Sequence, residues 1–301
     1  MKLVISASPH IDSGATTRKI MGDVLIALCP ALIAAIVIFG WRALLVTAVC
    51  AAACVFFEWG FEWLCHKEST IGDLSAVVTG VILAYNLPVS IPLWQAVFGC
   101  LVSIVAVKQL FGGIGKNFAN PALVGRIVLF LSFSKTMTAW VFPDAVSSAT
   151  PLAQLAAGQK PELWTLLLGN HGGCVGETCA LALLLGGAYL LLRGVITWQT
   201  PVCFVGTVFV LSLILGQDAV RQILSGGLLL GAFFMATDYV TAPQTCWGRA
   251  LFGIGAGLLT CLIRFYGSYA EGVSFAILFM NILTPYLSKW TRSKPLGGMP
   301  A

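Results

Sequence analysis

The chain has 301 residues, 58% hydrophobic and 10% charged, with a mean hydropathy of +0.92. A water-soluble domain carries about 25% charged residues, so the composition excludes a water-facing surface and points to an integral membrane protein. The net charge of +5 is too modest to suggest a nucleic-acid partner; membrane lipid is the partner the composition demands.

The first twenty residues are polar and contain "DSGATT" at 12–17. The apolar run after them is long and has no small-residue cleavage site, so it is expected to stay as a first transmembrane helix rather than be removed as a signal peptide. A helix needs roughly 20 apolar residues to cross the hydrocarbon core. Segments of that kind run over 22–40, 43–64, 71–87, 92–111, 118–134, 176–193, 197–215, 219–237, 247–265 and 271–288. The expected fold is therefore an all-α integral membrane protein of about ten transmembrane helices, with 1–301 a single polytopic domain.

Along these spans, few polar groups need a reason. Asp23 and Asp73 each follow a glycine at a span's start, where the helix macrodipole favours a carboxylate. Glu58 and Glu62 are four apart, share a helix face near the end of the second span, and read as a solvated edge rather than an ion path. In "NPALVGRIVLF", Asn120 and Pro121 mark a broken or late-starting helix, and Arg126 follows inside the span. An ionisable residue at such depth is a functional candidate. Its guanidinium either meets a carboxylate, carbonyls, a phosphate or a ligand, or snorkels to the cytoplasmic face. Asp238, beside Thr237 and Thr241 in "MATDYVTAP", either caps a helix end or lines a site.

The ten cysteines suggest no disulfide framework. Most lie in apolar runs, as small hydrophobes do. Cys174 and Cys179 lack the two-residue gap of common zinc and redox motifs. His10, His66 and His171 are scattered, so no metal site is expected.

Orientation follows from where the basic residues fall. With the N-terminus inside, the cytoplasmic side carries Lys2, Arg18, Lys19, Lys67, Lys108, Lys116, Arg193, Arg249, Lys289, Arg292 and Lys294. The outside carries Arg42, Lys135, Lys160, Arg221 and Arg264. Both termini are thus expected in the cytoplasm, and 135–175 is the one long extracytoplasmic loop. The two halves also resemble each other. "TGVILAYNLP" and "LGAFFMATDY" put Gly80 and Gly231 early in apolar runs, and "FANPA" and "YAEGV" follow at the same 151-residue offset. Spans three to five would repeat as spans eight to ten, inverted because five spans separate the copies. Inverted repeats are a common transporter plan.

Four motifs in order, "SPHIDSGATTRKIMGDVLIALCPA", "GGIGKNFANPALVGR", "DAVSSATPL" and "FFMATDYVTAP", resemble the D subunits of Rnf complexes and the related B subunits of the sodium-pumping NADH:quinone oxidoreductase. The resemblance covers nearly the whole chain. It implies a membrane component of an ion-translocating ferredoxin:NAD oxidoreductase in the bacterial cytoplasmic membrane, assembled with the A, B, C, E and G components of an Rnf-type complex. Ferredoxin and NAD would be met through those other components. It further implies FMN, joined through its phosphate to a threonine hydroxyl by a separate flavin transferase that reads an Asp followed by Ser-x-Ala-Thr. The matching positions are Asp144, Ser147, Ser148, Ala149 and Thr150. Ser148 stands where the family often has Gly, and Tyr239 where it often has Pro. A second, unattached flavin, riboflavin, against "NPALVGR" stays open.

The residue types suit this chemistry. Pro151 biases Thr150 toward extended backbone, and small neighbours leave room for a bulky nucleotide. Thr16 in "DSGATT" spells the local pattern more closely, but the charge distribution puts it in the cytoplasm, whereas the family's transferase works outside. The competing readings are a small-solute channel or secondary transporter without a redox cofactor, and a purely structural membrane component.

Overall fold

A computed structural model describes residues 15–140, 150–267 and 272–292. The elements in chain order are α1 (Thr17–Phe39), α2 (Trp41–Leu64), α3 (Ser75–Tyr85), α4 (Leu93–Leu101), α5 (Pro121–Ser132), α6 (Ser134–Met137), α7 (Pro151–Ala156), α8 (Leu163–Leu168), α9 (Ala180–Leu192), α10 (Gln199–Ile214), α11 (Ala219–Leu224), α12 (Leu228–Leu230), α13 (Cys246–Tyr266) and α14 (Val273–Trp290). α4 continues as a π-helix over Val102–Gln109 and α12 as another over Gly231–Met235. Every expected apolar segment falls on helix, and the described residues form an all-α, multi-pass membrane protein.

The helices are not uniform rods. By length and composition α1, α2 and α13 are long and apolar enough to cross a membrane, whereas α3, α5, α9 and α10 are shorter apolar helices. The expected third and fifth spans are therefore cut short, and each has a local cause. α3 stops before Leu87-Pro88, because proline disfavours helical backbone in the residue before it. Its last carbonyls would be orphaned in the interior. The segment after α8 supplies the donors: Gly176 N–H bonds Tyr85 O at 3.0 Å and Val175 N–H bonds Leu87 O at 3.0 Å. Gly176 is required there, since a Cβ would stand 2.2 Å from the Tyr85 ring. α5 starts late because Pro121 takes the first helical position and the Asn120 side chain accepts from Ala122 N–H at 3.1 Å. Irregular backbone at such depth is tolerated where it is buried in protein.

Shifted by 151 residues, the starts of α3, α4 and α5 land within two residues of those of α12, α13 and α14, as the expected repeat requires. The first turns of α5 and α14 converge, and their partner elements end nearby: Asn86 of the α3 end reaches Met235 Sδ at 3.4 Å, and Asn120 donates to Met235 O at 3.4 Å. Helix pairs pack through small residues, as membrane helices do. On α13, Gly253 and Gly257 sit one turn apart; a Cβ on the first would stand 2.7 Å from Thr200 O and on the second 2.7 Å from Thr207 Cβ, both on α10.

Candidate functional site

The sequence-derived residues separate into three places. Asn120 and Asp238 line one cavity of about 370 Å³, enclosed by the N-terminal turns of α1, the start of α3, and Phe233 and Phe234 of the second π-helix. The cavity is mostly apolar with a few converging polar groups, Lys108, Asn117, Asn120, Thr237 and Asp238 among them. Ligand pockets have this character and run from roughly 300 to 1,000 Å³. Asp238 both lines the cavity and organises the turn after the π-helix, accepting from Thr241 Oγ1 at 3.0 Å and from Val240 N–H at 3.5 Å. Burial pushes its carboxyl above the usual range, partly offset by those two donors.

One wall of this cavity was not legible as a site. Lys108 lies in the last turn of the first π-helix and is buried. It donates to both carboxylate oxygens of Glu58, at 2.7 and 2.9 Å, and to Ser75 Oγ at 2.6 Å. Gln109 Nε2 and Thr70 Oγ1 complete the shell of Glu58 at 3.0 and 2.9 Å. Glu62 is also buried, held by the Thr70 N–H at 3.2 Å and sharing the single proton of the Thr70 hydroxyl with Glu58. Glu58 and Glu62 are therefore no solvated edge; the chain folds a charged network into the helix ends, and Lys108 is a buried ion-pair partner rather than a loop charge. Asp23 likewise departs from its expected place at a helix N-terminus. It lies in the second turn of α1 and accepts from Tyr189 OH at 2.9 Å and Arg193 Nη2 at 3.3 Å.

Arg126 occupies a second place. It is 5% exposed, so it does not snorkel. It bonds Ser274 Oγ on the first turn of α14 and Cys174 Sγ at 3.8 Å. The guanidinium thus ties three elements: α5, α14 and the inserted segment at 170–179. That segment also buries His171, whose imidazole burial holds below the ordinary histidine range, partly offset by the Gly172 carbonyl.

Thr150 is the third place, apart from the other two. Asp144, Ser147 and Ser148 lie outside the described residues. Thr150 itself has extended backbone and caps α7, its hydroxyl accepting from Ala153 N–H at 3.3 Å. It is half-buried, while Leu152 and Leu155 below it are buried. Thr16 caps α1 in the same way, accepting from Lys19 N–H at 3.3 Å. Both threonines have the same capping geometry. Their surroundings differ: Thr16 is exposed at the start of a long helix, whereas Thr150 starts a short helix seated on the protein.

The family model of NQR2, RnfD and RnfE matches residues 4–297. Among curated proteins the chain is 45% identical to the D component of the Na(+)-translocating ferredoxin:NAD(+) oxidoreductase complex of Acetobacterium woodii, with 99% of this chain and 96% of the relative covered. It is 40% identical to the D component of the proton-translocating ferredoxin:NAD(+) oxidoreductase complex of Clostridium ljungdahlii, with 97% and 96% covered. It is 36% identical to the D component of an ion-translocating oxidoreductase complex of Halorhodospira halophila, with 97% and 94% covered. The chain belongs to the NQR2, RnfD, RnfE family.

Proposed function

We propose that the chain is the D-type membrane component of an ion-translocating ferredoxin:NAD oxidoreductase complex and carries FMN as a phosphodiester on Thr150. The observation that supports the attachment site is the half-buried Thr150 hydroxyl, presented on extended backbone at the start of a seated helix. A transferase needs a reachable oxygen held in place, and Pro151 keeps the residue before it out of the helix. FMN supplies reversible electron transfer when bound; the chain supplies the tether that keeps it from diffusing away. The 370 Å³ cavity has room for a second, unattached flavin such as riboflavin: Phe233 and Phe234 offer apolar faces, and the Asn117 and Asn120 amides offer donors.

In this reading the protein sits in the bacterial cytoplasmic membrane with both termini inside. Partners of A, B, C, E and G type bring electrons from ferredoxin and deliver them to NAD. The relatives at 45% and 40% identity are named for sodium and for protons respectively, so the family resemblance leaves the coupling ion to measurement.

In-gel flavin fluorescence of three forms tests the proposal: wild type, Thr150→Val and Thr16→Val, each co-produced with a flavin transferase. Fluorescence is expected in wild type and Thr16→Val and lost in Thr150→Val. Survival in Thr150→Val would overturn the assignment, and a flavin-free wild type would return the channel reading.

A further inference from the structure

We infer that the first turns of α1 form a hinged lid on the 370 Å³ cavity, latched by Asp23 and bending at Pro30, and that the cavity's occupant enters at the end of the bundle where α1 begins. The lid goes beyond the flavin reading and holds whichever molecule fills the cavity.

The wall that α1 contributes is unlike the one facing it. Ile20, Met21 and Val24 line the cavity from one side of the helix, beside Leu190 of α9. The stretch that carries them is lightly held: residues 17–19 are exposed, 20–25 are half-buried, and a Cβ on Gly22 would meet nothing within 4 Å. From Ala27 onward α1 is fixed. Ala27, Leu28, Ala31 and Ala35 are buried. Ala27 O approaches Gly186 so closely that a Cβ there would stand 2.1 Å from it, and Tyr85 OH donates to Leu28 O at 2.8 Å. The facing wall is fixed too. Thr79, Ile82 and Asn120 are buried, and Asn120 is held by Ala122 N–H and Met235 O.

The backbone is weakest where the loose and fixed parts of α1 meet. Pro30 has no N–H, so Ile26 O loses its intrahelical donor. The next acceptor is shared, because Cys29 Sγ donates to Leu25 O at 3.2 Å. Helices bend at such gaps in the ladder. Residues 17–25, about 13 Å of helix at 1.5 Å per residue, therefore hang from a hinge. Asp23 holds them down. Its Oδ1 accepts from Tyr189 OH at 2.9 Å and its Oδ2 from Arg193 Nη2 at 3.3 Å, both at the end of α9 that flanks Leu190. This latch is weak enough to release: the Arg193 side chain is 57% exposed, and ion pairs open to water contribute little. Lids that admit ligands are drawn from segments of this low local stability.

Thiol labelling of the full chain in lipid nanodiscs tests the lid. Thr79→Cys puts a reporter on the fixed wall of the cavity, in a background where exposed Cys29, Cys65 and Cys246 are replaced by serine. The probe is a bulky, water-soluble maleimide. Buried Cys261 of α13, away from the cavity, reports general loosening. Asp23→Asn should speed labelling at position 79 roughly tenfold, as for a charge-assisted hydrogen bond discounted for its exposed partner. Tyr189→Phe should act in the same direction. Pro30→Ala restores the missing rung and should slow labelling several-fold. Cys261 should label at its wild-type rate throughout. Unchanged labelling at position 79 in both Asp23→Asn and Tyr189→Phe would overturn the inference. So would an equal rise at Cys261, or a Pro30→Ala rate at or above wild type. Added riboflavin separates the lid from the flavin reading: protection of position 79 supports a second flavin, whereas no protection removes that flavin and leaves the lid standing.

Discussion

Replacing Lys108 by methionine keeps the stem's bulk and removes one buried charge. Lys108 and Glu58 have side chains 4% and 0% exposed, with Nζ 2.7 Å from Glu58 Oε1. After the change, Glu58 retains Gln109 and Thr70 as donors but no cation, and the buried Glu62 carboxylate sits across the same Thr70 hydroxyl. Breaking one side of a buried ion pair costs about 3–5 kcal/mol. At about 2 °C per kcal/mol for a chain of this size, the unfolding midpoint should drop by about 6–10 °C. Glu58→Gln in the same molecule removes the stranded charge and should recover a coupling of about 2–3 kcal/mol. The assay follows a thiol-reactive dye during heating in nanodiscs, because Cys50, Cys54 and Cys100 are free and buried in α2 and α4. A Lys108→Met midpoint shifted by no more than about 0.5 kcal/mol, as for a surface change, would refute the buried-network reasoning.

Ser274→Ala deletes the acceptor of Arg126 across the α5–α14 contact; a charge-assisted bond lost there should lower stability by about 1.5–3 kcal/mol in the same dye assay, and a wild-type midpoint would deny the contact. His171 is held neutral by burial, so the unfolded state binds the extra proton; stability is present above the ordinary histidine value of about 6.5 and declines as pH falls below it. In His171→Gln that part of the pH dependence should flatten, and an unaltered acid limb would argue against it. A cysteine placed at Gln159 should react with a membrane-impermeant label from outside and one at Lys294 should not, once exposed Cys29, Cys65 and Cys246 are replaced; the reverse pattern would invert the topology and the choice of threonine.

The sequence carried the position of the apolar helices, but not their lengths: only α1, α2 and α13 are long and apolar enough to cross a membrane, and α3, α5, α9 and α10 are shorter. It also located the α5 break, since Asn120-Pro121 states its geometry locally. It misread Glu58 and Glu62 because their neutralising partners come from elsewhere in the chain: Lys108 is 50 residues from Glu58. Lys108 was countable as an end-of-span charge, although a lysine directly after "VSIVAV" could have been weighed as intramembrane. The insertion of 170–179 was equally hidden. Its "HGGCVGE" looks like a polar loop, and only the need of α3 for donors to Tyr85 O and Leu87 O explains its burial. The cavity is a tertiary object, assembled from helices far apart in sequence.

One covalent bond, at Thr150, carries the functional reading, and intact mass tests it most directly. The full-length chain purified after co-production with a flavin transferase should be heavier than the chain made without it by one FMN less one water, and a proteolytic peptide containing Thr150 should carry the whole increment. Equal masses with and without the transferase, or the increment on a peptide that lacks Thr150, would contradict the account.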